Sequence, residues 1–378
     1  MLLRPCRDLF LTKPHRLAWY TRGLQRNFRS TALQNQFKIL FLGRDEFSCS
    51  IFQELYASQD VWESIFVATN PDTRLGHSPL RALADSLNVP VDFIPAEKPD
   101  FKHWEPPPPF SPASAPPPLN HILITASFGR ILTPAQLDLF APARRLNVHG
   151  SVLPAYRGPA PIQHAILDHA AETGVSVAQM FKRGIDKGPV WASHQIPIAR
   201  DATFLSLRAE LADRGGRLLV RVLRDMLAGT AKCTPQPPES PTAHARSITI
   251  ADAVLDFDTM RAADIVARHR AIGHQRALTT WMPSGVRLQL HDPAVAHAPP
   301  PTLSPVPGAF LYYKPERTLV VRCAGGTALA VPRVKKEWRS MLEAREFWNG
   351  VVPHAKLRVD GEFRLVGLED GSTPTPAA

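Results

Sequence analysis

Apolar residues first arrive in short, nearly unbroken runs. Phe37–Leu42, Ile65–Ala68, Val89–Ile94, His121–Ala126 and Arg145–His149 are each four to six residues long and end at glycine or a polar loop. Runs of that length read as strands buried on both faces. Between them the spacing turns helical. Asp45–Tyr56 predicts a helix, and Ser78-Pro79 supplies an N-cap followed by a proline at the first helical position. Pro134 opens a short helix and Pro161–His169 another, while Thr203–Leu227 carries a long amphipathic pattern. Thr173–Phe181 alternates apolar and polar, and Val190–Ile198 reads as a further strand. Strand alternating with helix predicts a mainly parallel, Rossmann-like α/β sheet over residues 37–231.

The pattern changes at Lys232. Residues 232–245 are polar and proline-rich and read as a linker. Beyond it, Met260–Ile272 predicts a helix. Arg287–Leu290, Gly308–Tyr313, Thr318–Cys323 and Ala328–Val331 predict short strands, and Ser340–Asn349 predicts a closing helix. Short strands punctuated by Pro and Gly suit a smaller, OB-like β-barrel over 246–368, with 369–378 left as a disordered tail.

Composition changes this picture at two places. Of the 38 prolines, eight fall within residues 105–118, a density that excludes helix and sheet and reads as an extended, solvated insert. The net charge of +10 is also uneven. Residues 1–36 hold seven Lys or Arg against one Asp, residues 37–240 hold 20 of each sign, and residues 241–378 hold 17 basic against 13 acidic. A basic, acid-poor, amphipathic first segment reads as a transit peptide to the mitochondrial matrix. No run approaches the roughly 18 apolar residues of a membrane span, so no membrane partner is expected. The four cysteines form no CxxC pair, which argues against a metal site or a disulfide framework. Nothing in the sequence calls for more than a monomer.

The candidate chemistry lies at the end of Arg145–His149. At period two, Asn147 and His149 point to the same side. An amide beside an imidazole is costly to bury without partners, and open α/β sheets bind ligands at this end. A satisfied core histidine is the bland alternative. The Asn-x-His-x-Ser pattern in a loop rimmed by Pro and Gly favours function. Asp186, in the tight loop Arg183–Pro189, is the third candidate; alone it would be a loop-capping carboxylate. An amide, an imidazole and a carboxylate can run acyl-type transfer without a covalent nucleophile: Asn147 donating to an oxyanion, His149 moving the proton, Asp186 orienting His149. Ser151 lacks a Gly-x-Ser-x-Gly elbow and is given a turn role. A single Gly43 replaces the glycine fingerprint of a dinucleotide site.

Asn147-Val148-His149-Gly150-Ser151-Val152-Leu153-Pro154, followed by Arg157-Gly158 and Pro161-Ile162-Gln163, resembles the formyltetrahydrofolate-using formyltransferases. Phe41-Leu42-Gly43, Ala126–Leu132, Glu172–Val175 and Gly184-Ile185-Asp186 continue the resemblance, which covers roughly residues 37–350. Pro159–Gln163 and the β-rich C-terminal part, with Ala253–Phe257 near its start, are similar to the branch acting on methionyl-tRNA. The resemblance implies 10-formyltetrahydrofolate as donor substrate, initiator methionyl-tRNA as acceptor, no metal, and catalytic roles for Asn147, His149 and Asp186. It implies folate contacts at Phe128, Gly129, Ile131, Leu132, Ser151, Leu153, Pro154, Ile185 and Gly188. Arg74, Arg157, Lys187, Arg333, Lys335, Lys336 and Arg339 are the expected RNA contacts. The loop holding Arg74 is shorter and less basic than the family's, Lys187 replaces a small hydroxyl residue, and the proline insert stands where the family has a helix. Competing expectations are a formyl-folate enzyme acting on a small amine or hydrolysing formyl-folate, an RNA-binding protein with an inactive transferase unit, and a plain nucleotide-binding α/β module.

Overall fold

The computed structural model describes residues 36–71, 76–111, 116–351, 358–359 and 362–367. Residues 1–35 of the expected leader (1–36), Arg74 and the expected tail (369–378) lie outside the described residues.

Seven strands form the first sheet, in the order β3-β2-β1-β4-β5-β6-β7. They are β1 (Phe37–Leu42), β2 (Trp62–Thr69), β3 (Val91–Phe93), β4 (His121–Ala126), β5 (Arg145–His149), β6 (Glu172–Gln179) and β7 (Val190–Pro197). β1 to β5 pair in parallel, whereas β6 and β7 are antiparallel. The sheet is therefore mainly parallel with an antiparallel edge. No helix separates β6 from β7; the turn containing Asp186 does so instead.

Period two explains why the runs are apolar throughout. On β1, Ile39 and Phe41 enter one core while Leu40 and Leu42 enter the other, and all four are buried. The first core is covered by α1 (Glu46–Ala57), by α2 (Pro79–Ser86) and, further along the chain, by the long helix Phe204–Leu227. Asp45 caps α1 by accepting from Ser48 N, and Ser78 caps α2 by accepting from Arg81 N, so the polar residues before these helices satisfy free N–H groups. The second core is aromatic and includes Phe101 from α3 (Lys98–Lys102), Phe128, and Leu137 from α4 (Pro134–Asp138).

The proline insert is not a free spacer. Phe110 is 2% exposed and packs edge-on to Phe66 and close to Phe140 and His121. One aromatic side chain among prolines anchors the segment to the sheet's second face, because burying a Phe gains about 1.5–3 kcal/mol. Residues 112–115 lie outside the described residues.

The chain continues through α5 (Pro161–Leu167), then α6 (Phe204–Leu227). Past the linker comes α7 (Ala262–Ile272), followed by β8 (Leu278–Trp281), β9 (Arg287–His291), β10 (Ala294–Val295), β11 (Phe310–Tyr313), β12 (Thr318–Arg322), β13 (Ala328–Val331), β14 (Arg333–Lys336) and β15 (Met341–Glu343). These strands make two four-stranded antiparallel sheets, β10-β13-β12-β11 and β15-β14-β9-β8, and the chain crosses between them at Pro332. α8 (Ala344–Val351) sets Phe347 near Phe310. A short pair, β16 (Arg358–Val359) and β17 (Glu362–Phe363), ends the described chain. The closing helix begins later than its spacing predicts, because Met341–Glu343 pairs with β14 as a strand.

One apolar core runs through both parts: Leu219 and Leu223 of α6 belong to the same buried cluster as Leu255, Ile265 and Val334. At the contact between them, His274 stacks on Phe204 at 4.2 Å, and Arg270 Nη1 donates to the carbonyls of Arg200 and Ala202.

Candidate active site

β5 delivers Asn147 and His149 where expected. The β4–β5 register sets Thr125 opposite Asn147, and Thr125 Oγ1 donates to Asn147 Oδ1 at 2.8 Å. With its oxygen engaged, the amide aims Nδ2 outward, where one N–H donates to Asp186 Oδ1 at 3.2 Å. Among the described residues the second N–H of that NH₂ group meets no acceptor, which leaves it for a ligand oxygen. Thr125, a buried polar residue on an apolar strand, was missed from sequence; its burial beside Asn147 is the signal that marks it.

Asp186 arrives from the β6–β7 turn. Its backbone is left-handed at φ 54°, and Gly184 before it is at φ 89°. A non-glycine residue held there costs of the order of 1–3 kcal/mol unless its surroundings fix it. They do: besides the Asn147 bond, Asp186 Oδ2 accepts from the backbone N of Gly158 at 3.0 Å. Asp186 Oδ2 also lies 3.7 Å from His149 Nδ1, with both side chains at most 10% exposed. The three residues are thus brought together, in a different arrangement from the one expected. His149 is oriented by the carbonyl of Tyr156, which lies 3.0 Å from Nε2. A carbonyl only accepts, so Nε2 carries the hydrogen and Nδ1 keeps its lone pair. The carboxylate faces Nδ1 at ion-pair range.

The loop after β5 is held just as closely. Ser151 is fully buried and its Oγ donates to the Ala155 carbonyl, a turn role. Leu153 N donates to Ser176 Oγ, which also bonds the Ser151 carbonyl. Burial and the neighbouring Asp168 push the Tyr156 phenol up to about 12. Leu153 and Pro154 line a cleft of about 340 Å³ together with Val190–Ser193 and Thr234–Pro237.

The remaining expected folate contacts divide by exposure. Phe128 and Gly188 are buried, Leu132 is half-buried, and Gly129, Ile131 and Ile185 are exposed, Ile131 at 72%. The segment that carries Phe128 is fixed by Ser127 Oγ, which donates to Asp45 Oδ2, the same carboxylate that caps α1. Arg44 was also missed: its guanidinium lies against Gly129, where a Cβ would come within 2.8 Å of Cζ.

Arg157 is a correction. Expected on RNA, it is 6% exposed and turned inward. Its Nε and Nη2 donate to Gln236 Oε1, Nη2 also to the Pro237 carbonyl and Nη1 to the Pro238 carbonyl. A guanidinium with its donors so used clasps the linker. Lys187 is exposed, with its aliphatic stem near Gly184.

The second basic group lies on β14 and the turn after it. Arg333 is paired with Asp292, and Lys336 Nζ sits 5.3 Å from the Phe347 ring centre. Lys335, Lys336 and Arg339 line an open cleft of about 280 Å³ with Arg287, Gln289, Glu337 and Trp338. Trp338, unremarked in the sequence, is 92% exposed. Among the described residues, no group of three or more His, Cys, Asp or Glu is placed to hold a metal, and no helix is long and apolar enough to cross a membrane.

Comparison with known proteins gives the family. The formyl transferase family model matches residues 37–223, and the model for the formyl transferase C-terminal domain matches residues 247–352. The mitochondrial methionyl-tRNA formyltransferase of Mus musculus is 29% identical over 323 residues, covering 83% of this chain and 78% of the relative. The methionyl-tRNA formyltransferase of Janthinobacterium sp. (strain Marseille) is 31% identical over 319 residues, covering 83% and 97%. Among solved structures, the sugar 3N-formyl transferase WlaRD, crystallised with dTDP and 5-N-formyl-THF, superposes with a TM-score of 0.52 at 15% identity, covering 81% of this chain and 99% of that one. HypX from Aquifex aeolicus does so with a TM-score of 0.52 at 18% identity, covering 82% and 48%. The fold, the two matching domain models and a relative covered almost end to end make this chain a member of the formyl transferase family, a formyl-transferring enzyme related to the methionyl-tRNA formyltransferases.

Proposed function

We propose that the protein transfers the formyl group of 10-formyltetrahydrofolate to the amino group of methionyl initiator tRNA, in the mitochondrial matrix. The observation that carries this reading is the buried meeting of Asn147 and His149, at the end of β5, with Asp186 of the β6–β7 turn. The basic leader and the mitochondrial relatives support the location. Residues 37–231 would carry the chemistry, residues 232–245 the connection, and residues 246–368 the RNA contacts.

In the reaction the acceptor amine attacks the formyl carbon. A C–N bond forms and the carbonyl electron pair moves onto oxygen. The remaining Nδ2 hydrogen of Asn147 donates to that oxygen, a contribution worth ~2.7–4 kcal/mol when preorganised. His149 Nδ1 takes the proton released by the attacking nitrogen, and Asp186 stabilises the imidazolium so formed. Collapse of the tetrahedral centre restores the carbonyl and breaks the bond to the folate nitrogen, which receives the proton from Nδ1. Leu153, Pro154, Phe128 and the exposed Ile131 and Ile185 would supply apolar contacts for the donor. Lys335, Arg339 and the face of Trp338 would meet the RNA.

The test offers purified protein formyl-folate with charged initiator tRNA or with small amines. Faster formylation of the small amines, or no transfer to the RNA, overturns the reading.

A further inference from the structure

The linker lies between the two matched family regions, yet it reaches the catalytic turn. Gln236 uses all of its side-chain amide. Its Oε1 accepts from Arg157 Nε at 3.2 Å and from Arg157 Nη2 at 2.9 Å. Its Nε2 donates to the Asp186 carbonyl at 2.9 Å and to the Gly188 carbonyl at 2.6 Å. Both amide hydrogens and the oxygen are therefore committed. The first carbonyl belongs to Asp186 itself, whose left-handed backbone places the carboxylate beside His149, and the second lies two residues on.

The rest of the linker ties the opposite wall. Ser240 Oγ donates to the Pro154 carbonyl, Tyr156 N donates to Thr242 Oγ1, Ala245 N donates to the Arg157 carbonyl, and Ala160 N donates to the Ala245 carbonyl. Thr234 bridges to Val190 at the start of β7. At Gly158, at φ 123°, an added Cβ would stand 2.6 Å from the Ala245 carbonyl, so the linker's last residue runs hard against the backbone whose N–H holds Asp186.

We propose that Gln236 is a positioning residue for Asp186, and that the linker is a working wall of the active site. This rests on the reading of Asn147, His149 and Asp186 as the catalytic group. Gln236 touches neither of the reacting groups directly. It holds the Asp186–Gly188 backbone, and Gly158 N together with Asn147 Nδ2 holds the carboxylate. Removing the two Gln236 donors leaves the turn free to rotate Asp186 away from His149. A misplacement of about 1 Å at such a group costs of the order of 100-fold in rate. Gln236 also bonds the Gly188 carbonyl and lines the cleft beside Leu153 and Pro154, so donor binding weakens as well, by less than the rate falls.

Two substitutions separate positioning from simple clasping. Gln236→Met removes both donors and the acceptor. Gln236→Glu keeps an oxygen partner for Arg157, now as an ion pair, but replaces the two donors to the Asp186 turn. Steady-state kinetics with formyl-folate and methionyl-tRNA would be run on the full chain, alongside hydrogen exchange of the amides at 184–188. The expectation is a kcat at least tenfold lower in both variants, a KM for formyl-folate that changes by less than kcat does, and faster exchange confined to 184–188. Parental kcat and exchange in Gln236→Glu, even where Gln236→Met fails to fold, would show that Gln236 only closes the strap and would overturn the proposal. Absence of transfer by the parent protein refutes the functional reading, and the exchange measurement then still decides whether Gln236 holds the turn.

Discussion

In the proposed reaction the proton passes through His149, and the tautomer of that residue follows from one contact. Tyr156 offers only a carbonyl to Nε2, so proton exchange falls to Nδ1, on the side of Asp186. His149→Ala is expected to lower kcat by about 10²–10⁴, the range of a lost general base, with little change in thermal stability. Formylation kinetics with a parallel melting curve check this; parental turnover would refute the role. Much at this scale was legible in the sequence. Period two put Asn147 and His149 on one side of β5, and polar residues closing a buried strand are costly without a purpose. Gln236 was not legible. It stands 50 positions from Asp186 in a segment whose composition reads as a plain spacer, and only the folded chain shows what its amide bonds. Arg157 misled for a related reason: an arginine in a loop reads as exposed, whereas here it is consumed by linker carbonyls.

At the scale of elements, the turn from β6 to β7 has the least room. A Cβ on Gly188 would lie 1.8 Å from the Gln179 carbonyl, so the turn must shift to accept any side chain. Gly188→Ala is expected to cut kcat by roughly 100-fold, the effect of displacing Asp186 by about 1 Å, measurable in the same formylation assay. The turn after β14 makes a separate expectation. Trp338→Ala should raise the KM for methionyl-tRNA roughly tenfold, since one stacked base is worth ~1–3 kcal/mol, and leave the KM for formyl-folate unaltered. Equal KM values for RNA in parent and variant would remove Trp338 from the interface. Buried parallel strands were easy to read because both of their faces are apolar. β14 was hidden because only Val334 of Arg333–Lys336 is fully buried, and β8 because Leu278-Thr279-Thr280-Trp281 is too short and mixed. Phe110 was hidden by its prolines, which exclude regular structure without excluding burial.

For the molecule as a whole, acidification should weaken the fold first through its buried histidines. Burial, with nearby cations in some cases, holds His121, His269, His274 and His291 below the ordinary value of 6.5. The unfolded chain therefore binds more protons than the folded one as pH falls through about 6.5, and stability falls with it. Melting temperature should decline between pH 7.5 and pH 5, by roughly 2–4 °C for each kcal/mol lost. Asp252, held well below its usual range by Arg246 and Thr249, loses its contribution only at lower pH, below about 4. A melting temperature flat across the upper range would contradict the histidine argument. Two of these histidines also bind the parts together or sit close to that contact: His274 lies flat on Phe204, and His269 is on α7.

The linker's path carries a consequence for grafting. A chimera that joins the first 231 residues to the C-terminal part of a relative would discard Gln236, Ser240 and Thr242, and with them the far wall of its own active site. A junction after Ala245 keeps that wall and replaces only what lies beyond it. Two otherwise similar hybrids should then differ in turnover, because the useful seam between the halves lies at the linker's end.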